Sequence, residues 1–136
     1  MIVLLSEGAE ALLDVWTDTV GYTYHLYCNE LSPSDVINRT SFVEATFPGY
    51  KPQPAKGWTN AATVEGCTSS SADPILWSCA ADTDPQDVWG YFVTMGLTGP
   101  LLFWEPRDTG PVRIAAKGDP VELFPRLTCR QDFSPC

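Results

Sequence analysis

The sequence predicts an all-β fold: an antiparallel β-sandwich or small, jelly-roll-like barrel with one short N-terminal helix. Three observations carry this. About seven short runs rich in β-branched and aromatic residues recur at regular spacing, Pro and Gly turns separate them, and a single stretch shows a helical period. At 136 residues the chain has the size of one domain, so residues 1–136 are read as one β-rich domain, with 129–136 as a C-terminal extension.

The helix is placed at residues 8–16, where Ala9, Leu12, Leu13 and Trp16 recur at helical spacing and Glu10 and Asp14 take the other face. So short a helix cannot form a core alone, and Leu12 and Trp16 must pack on something else. From Gly21 the period drops to two. Tyr22, Tyr24, Leu26 and Cys28 share one strand face, and Thr23, His25 and Tyr27 share the other, directed toward solvent or an interface. Turn formers at 29–35 end this strand. A second extended run, 41–47, stops at Pro48-Gly49-Tyr50. Residues 58–64 read as a short strand, 65–74 as a Ser-, Gly- and Thr-rich loop, and 75–80 as another strand. The densest apolar run, 88–94, pairs across the Gly99-Pro100 turn with 101–105 as a central hairpin. Runs 113–116 and 121–128, on either side of the Lys117-Gly118-Asp119-Pro120 turn, complete the set.

Hydrophobic residues make up 44% of the chain and include five Trp, five Tyr and six Phe, enough for a packed interior. No run approaches the ~20 apolar residues needed to span a bilayer, so no membrane is expected. The apolar opening, Met1 to Leu5, lacks a basic flank and a small-residue cleavage site, so a secretory signal is not expected and folding inside a cell is. Net charge is −9, from 17 acidic and 8 basic residues; without a basic footprint, nucleic acid is not an expected partner.

Signs of catalysis are sparse. His25 is the only histidine, no G-x-S-x-G element accompanies it, and a lone strand histidine is more often structural. Asp82, Asp84, Asp87, Asp108 and Asp119 sit in turns, where Asp is favoured for backbone reasons. The run 82–87 offers alternating oxygens but lacks the Gly and Glu of a calcium loop. No catalytic residue, cofactor or metal ligand is therefore assigned, and the chain is read as non-enzymatic. The five cysteines have no C-x-x-C pair. Buried, reduced thiols are the default reading, with Cys67–Cys79 and Cys129–Cys136 as candidate local bridges. Trp58, Trp77, Trp89 and Trp104 fit a filled interior better than a sugar-binding surface.

Several segments together resemble small bacteriophage virion proteins of the head-decoration (cement) type. They are Glu7-Gly8-Ala9-Glu10-Ala11-Leu12-Leu13, the runs 26–35 and 42–50, then Val88-Trp89-Gly90-Tyr91-Phe92-Val93-Thr94, Leu101-Leu102-Phe103-Trp104-Glu105 and residues 118–127. The likeness spans nearly the whole chain, and its motifs are not catalytic. The chain departs from the pattern in its cysteines and in the 129–136 tail. The resemblance implies a virion structural protein on the capsid surface, a homotrimer that binds the major capsid protein by multivalent burial. The candidate interface residues are Leu12, Trp16, Tyr27 and Tyr50, with both termini. The alternative is a tail-associated or tail-fibre module that binds host surface glycans.

Overall fold

The computed structural model describes residues 5–19 and 21–130. In chain order the elements are α1 (Ser6–Thr19), β1 (Tyr22–Tyr27), a 3-10 turn (Arg39–Ser41), β2 (Gln53–Pro54), β3 (Ala62–Val64) and β4 (Cys67–Ser71). Then follow β5 (Ile75–Ser78), β6 (Gln86–Val88), β7 (Gly90–Met95), β8 (Leu101–Pro106), β9 (Val112–Ile114), β10 (Pro120–Leu123) and β11 (Arg126–Arg130). The described residues thus form eleven strands in four sheets with one α-helix, the all-β class that the sequence predicts. The chain divides into two compact units. A helical unit comprises Met1–Gly21, Ala55–Ile75 and Phe124–Cys136, and an all-β unit comprises Tyr22–Pro54 and Leu76–Leu123.

The all-β unit is built on a sheet of order β2-β1-β7-β8. Strand β1 runs antiparallel to β7 from Tyr22↔Met95 to Tyr27↔Gly90, and β7 continues antiparallel onto β8 with a register shift between Val93 and Thr94. The β7–β8 pair is the hairpin expected across Gly99-Pro100. All six residues of β1 are buried. This corrects the reading of His25 and Tyr27 as outward-facing: the alternation of Tyr with polar residues marks one solvated face only when a sheet has one, and β1 is a central strand covered on both. The aromatic core gathers Tyr27, Phe42 and Phe92, with Trp89, Leu101 and Trp104 half-buried around it. Phe42 stacks on Phe92 at 4.5 Å, and Tyr27 meets Trp104 edge-on at 6.1 Å.

Two runs that read as single strands are split. The Trp89 N–H turns to the carbonyl of Tyr27 (2.9 Å), so β6 leaves the main sheet and pairs with β9. Pro125 cannot donate to a ladder and Phe124 is exposed, so the run 121–128 breaks into β10, paired with β5, and β11. Between β9 and β10 the Asp119 carboxylate accepts the N–H groups of Ala115 (2.9 Å) and Ala116 (2.8 Å), which closes the turn.

The helical unit has a sheet of order β11-β4-β3, antiparallel throughout, with Leu127↔Ser70, Cys129↔Thr68 and Thr63↔Thr68 in register. Its centre, β4, lies in the stretch expected to be loop. Helix α1 packs on this sheet and buries Ala9, Leu13 and Thr17, spaced four apart on one stripe. On one flank Asp14 Oδ1 accepts the N–H of Ala61 (2.6 Å), just before β3.

Candidate functional site

Two features of the chain are chemically distinctive, one polar and interior, one apolar and exposed. The first is centred on His25 in β1. Its Nδ1 lies 2.8 Å from Glu44 Oε1 and its Nε2 lies 2.9 Å from Thr94 Oγ1, giving the order hydroxyl–imidazole–carboxylate. The strand pairing Thr23↔Thr94 and His25↔Phe92 sets Thr94 beside the imidazole, and an isolated bridge between Tyr27 and Glu44 brings the carboxylate alongside. Tyr50 donates to Glu44 Oε1 (2.8 Å) and accepts the Leu26 N–H (3.1 Å), and Arg39 Nη2 donates to Glu44 Oε2 (3.1 Å). The imidazole stacks on Phe92, and the Arg39 guanidinium also lies over that ring at 4.5 Å.

Burial works against the charge on Glu44, but the His25 and Tyr50 donors and the nearby Arg39 outweigh it and hold the carboxyl below the usual range. Burial pushes His25 below the ordinary histidine value, against the pull of Glu44. The neutral imidazole then keeps its proton on Nδ1 for Glu44 and accepts at Nε2 from Thr94. When it is protonated, Nε2 donates to Thr94 instead, and the Thr94 hydroxyl turns to the Gly96 carbonyl at 2.5 Å. One hydroxyl rotation serves both states. The arrangement has the order of a nucleophile relay, but His25 and Thr94 are each 1% exposed, so no substrate reaches the hydroxyl in this structure. Its role here is to clamp the segment 39–50 onto β1 and β7.

The second feature is the uncovered side of α1. Leu5 (71%), Leu12 (53%), Val15 (56%) and Trp16 (59%) are exposed. At 100° per residue, Leu5, Leu12 and Trp16 lie on the flank of the buried stripe opposite Asp14 and Glu10. That flank overhangs β11, and an apolar groove of about 260 Å³ runs between them, lined by Leu12, Leu13, Trp16, Leu127 and Cys129.

The candidate interface residues therefore divide. Leu12 and Trp16 are exposed, while Leu13 supplies the helix's core contact. Tyr27 is fully buried and cannot serve an interface; strand alternation alone does not reveal a sheet covered on both faces. Tyr50 is half-buried with its hydroxyl spent on Glu44 and Leu26. The thiols of Cys79 and Cys129 are free and Cys67 is disulfide-bonded, which corrects both candidate bridges: Cys67 does not pair with Cys79, and Cys129 is unbridged. Cys79 is buried with its thiol on the Ala81 carbonyl, and Cys136 lies outside the described residues. Burial pushes the Cys28 thiol up to about 11. In the 82–87 run, Asp82 accepts the Lys117 N–H and Asp87 forms a two-point pair with Arg113. Among the described residues no three His, Cys, Asp or Glu side chains converge to hold a metal ion. Sequence reading missed Glu44, Thr94 and Arg39, for which no motif exists, and the exposure of Leu5 and Val15.

No family description, no curated protein and no solved structure matches this chain.

Proposed function

We propose that this chain is a non-enzymatic structural subunit that docks on another protein through the uncovered apolar side of α1. The observation that carries the reading is the exposure of Leu12, Val15 and Trp16 on α1 and of Leu5 just before it, with Trp16 the one Trp of the five in the chain left more exposed than buried. Contiguous exposed apolar surface of this kind marks interaction sites, and Trp is the residue most enriched at their energetic centres. The interior histidine relay is sealed and supports the same reading.

Taken with the resemblance of the six segments quoted above, the docking surface is proposed to be the outside of a phage capsid. There the chain acts as a cement protein, a trimer bound where major capsid subunits meet. Each copy contributes a modest contact, and engagement by a symmetric oligomer multiplies it. The strand tryptophans do not favour a glycan-binding module: Trp77 is buried with its indole N–H on the Lys51 carbonyl, and Trp104 packs on Tyr27 and Phe42.

Cryo-electron microscopy of the intact particle tests this. The expected result is density for the chain repeated over the icosahedral shell and bridging capsid subunits, with loss of occupancy in a Leu12→Ser/Trp16→Ser variant that still folds. Density confined to the tail, or particles equally resistant to heat with and without the protein, would overturn it.

A further inference from the structure

We infer that the groove between α1 and β11 receives an extended peptide strand of a partner, in which apolar and acidic residues alternate. The inference rests on reading the α1 face as a docking surface, and it names the chemistry of what docks. In the sheet order β11-β4-β3, β11 pairs on one side only among the described residues. An edge strand directs alternate N–H and C=O groups away from its sheet, and these are the groups that an added strand uses. Beside that edge lies the apolar groove of about 260 Å³. Among the described residues a free edge and a groove are therefore adjacent, the combination in which main-chain bonds supply affinity and alternate side-chain pockets supply selectivity.

Strand periodicity fixes which residues of the guest face which chemistry. Leu127 and Cys129 are half-buried on the helix side, in register with the buried Ser70 and Thr68. Arg126 and Arg130 are exposed at the alternate positions, and Thr128 between them is exposed at the rim of the groove. An added strand has the same alternation, so one set of its side chains enters the groove beside Leu127, Cys129, Leu12 and Trp16. The other set stands across from Arg126 and Arg130, where opposite charges directly paired are favourable and like charges are not. Arg126 donates to Ser69 Oγ (3.2 Å), and among the described residues neither arginine pairs with a carboxylate. The acidic side chains of α1 do not compete for this position: Glu10 and Asp14 project from the other flank, where Asp14 is anchored to Ala61. The groove side of the guest is thus apolar and its outer side acidic.

The test uses the full chain and a synthetic eight-residue peptide alternating valine and glutamate, followed by amide chemical shifts and hydrogen exchange. The expected result is saturable binding, with shifts confined to α1 and residues 126–130 and new exchange protection at outward β11 amides. A valine–lysine peptide should bind at least tenfold more weakly, and Arg126→Gln/Arg130→Gln should weaken the glutamate peptide by a similar factor. Tolerance of N-methylation at alternate peptide amides, equal binding of the lysine peptide, or no saturable binding at millimolar peptide would each overturn the inference. If the peptide fails while Leu12→Ser/Trp16→Ser still abolishes particle occupancy, the strand-addition inference falls and the docking reading stands. If neither has an effect, both fall.

Discussion

His25 and Glu44 stand 2.8 Å apart with the imidazole stacked flat on Phe92, ring planes 8° from parallel. Because His25 is the only histidine, the pH dependence of stability near neutrality reports largely on this contact. Its folded value lies below the ordinary 6.5 because burial disfavours the imidazolium. The unfolded chain therefore takes up the proton first, so stability is greatest above about pH 6.5 and falls as pH drops from there toward the folded value. Urea midpoints measured from about pH 8 to about pH 5 should decline through this window, and the decline should vanish in His25→Gln. A flat wild-type profile would show that the imidazole is equally basic folded and unfolded.

Glu44 gathers three side-chain donors, from His25, Tyr50 and Arg39. Removing one partner of a buried pair costs about 3–5 kcal/mol, but the Glu44 side chain keeps 27% exposure, which reduces the expected loss for Glu44→Gln to about 2 kcal/mol at neutral pH. The variant should also lower the His25 pKa further, since Glu44 is what raises it. Imidazole shifts followed by NMR would read this directly. The folded Glu44 carboxyl lies below its ordinary 4.5, so its own contribution persists above that value and is lost only as pH falls below it.

The parts of the structure that were legible in the sequence are those whose physics is local. The β7–β8 hairpin announces itself by two β-branched and aromatic runs around Gly99-Pro100. Strand β4 does not, because the residues it buries, Thr68 and Ser70, are satisfied by hydroxyl bonding to Thr63 Oγ1 (2.7 Å) and to the Thr59 carbonyl (2.6 Å) rather than by apolar packing. The His25 relay was illegible for a different reason. Its partners lie 19 and 69 residues away, and neither Glu44 nor Thr94 belongs to a motif. On α1 the apolar stripe was readable, but not which edge of it stays open. That depends on where the sheet lies, and the sheet selects Leu13 over Leu12.

Gly90 marks a close approach that no sequence pattern predicts. A Cβ there would sit 2.2 Å from the Glu105 carbonyl oxygen, a main-chain atom of β8 that cannot move without disrupting the β7–β8 ladder. Gly90→Ala should therefore destabilise by about 3 kcal/mol, at the upper end of overpacking costs. Gly110→Ala meets no atom within 4 Å and is strained only by its positive φ of 83°, so it should cost less. Chemical denaturation of the two variants side by side would separate steric from conformational cost.

The Tyr27 hydroxyl supplies a change expected to improve the fold. Tyr27 is fully buried among Phe42, Phe92 and Trp104, and its hydroxyl has no hydrogen-bond partner among the described residues. A buried polar group in that state loses its hydration without compensation, which also pushes its pKa up to about 12. Tyr27→Phe keeps the ring, the edge-on contacts to Phe42 at 5.2 Å and Trp104 at 6.1 Å, and removes only the uncompensated oxygen. Stability should stay level or rise by up to about 1 kcal/mol, whereas Tyr27→Ala should lose about 3–5 kcal/mol by emptying the centre of the aromatic cluster. A loss of more than about 1 kcal/mol in Tyr27→Phe, measured by the urea midpoint, would mean that the hydroxyl holds a water inside the core, and a single ordered water beside Gly90 would then be the species to look for.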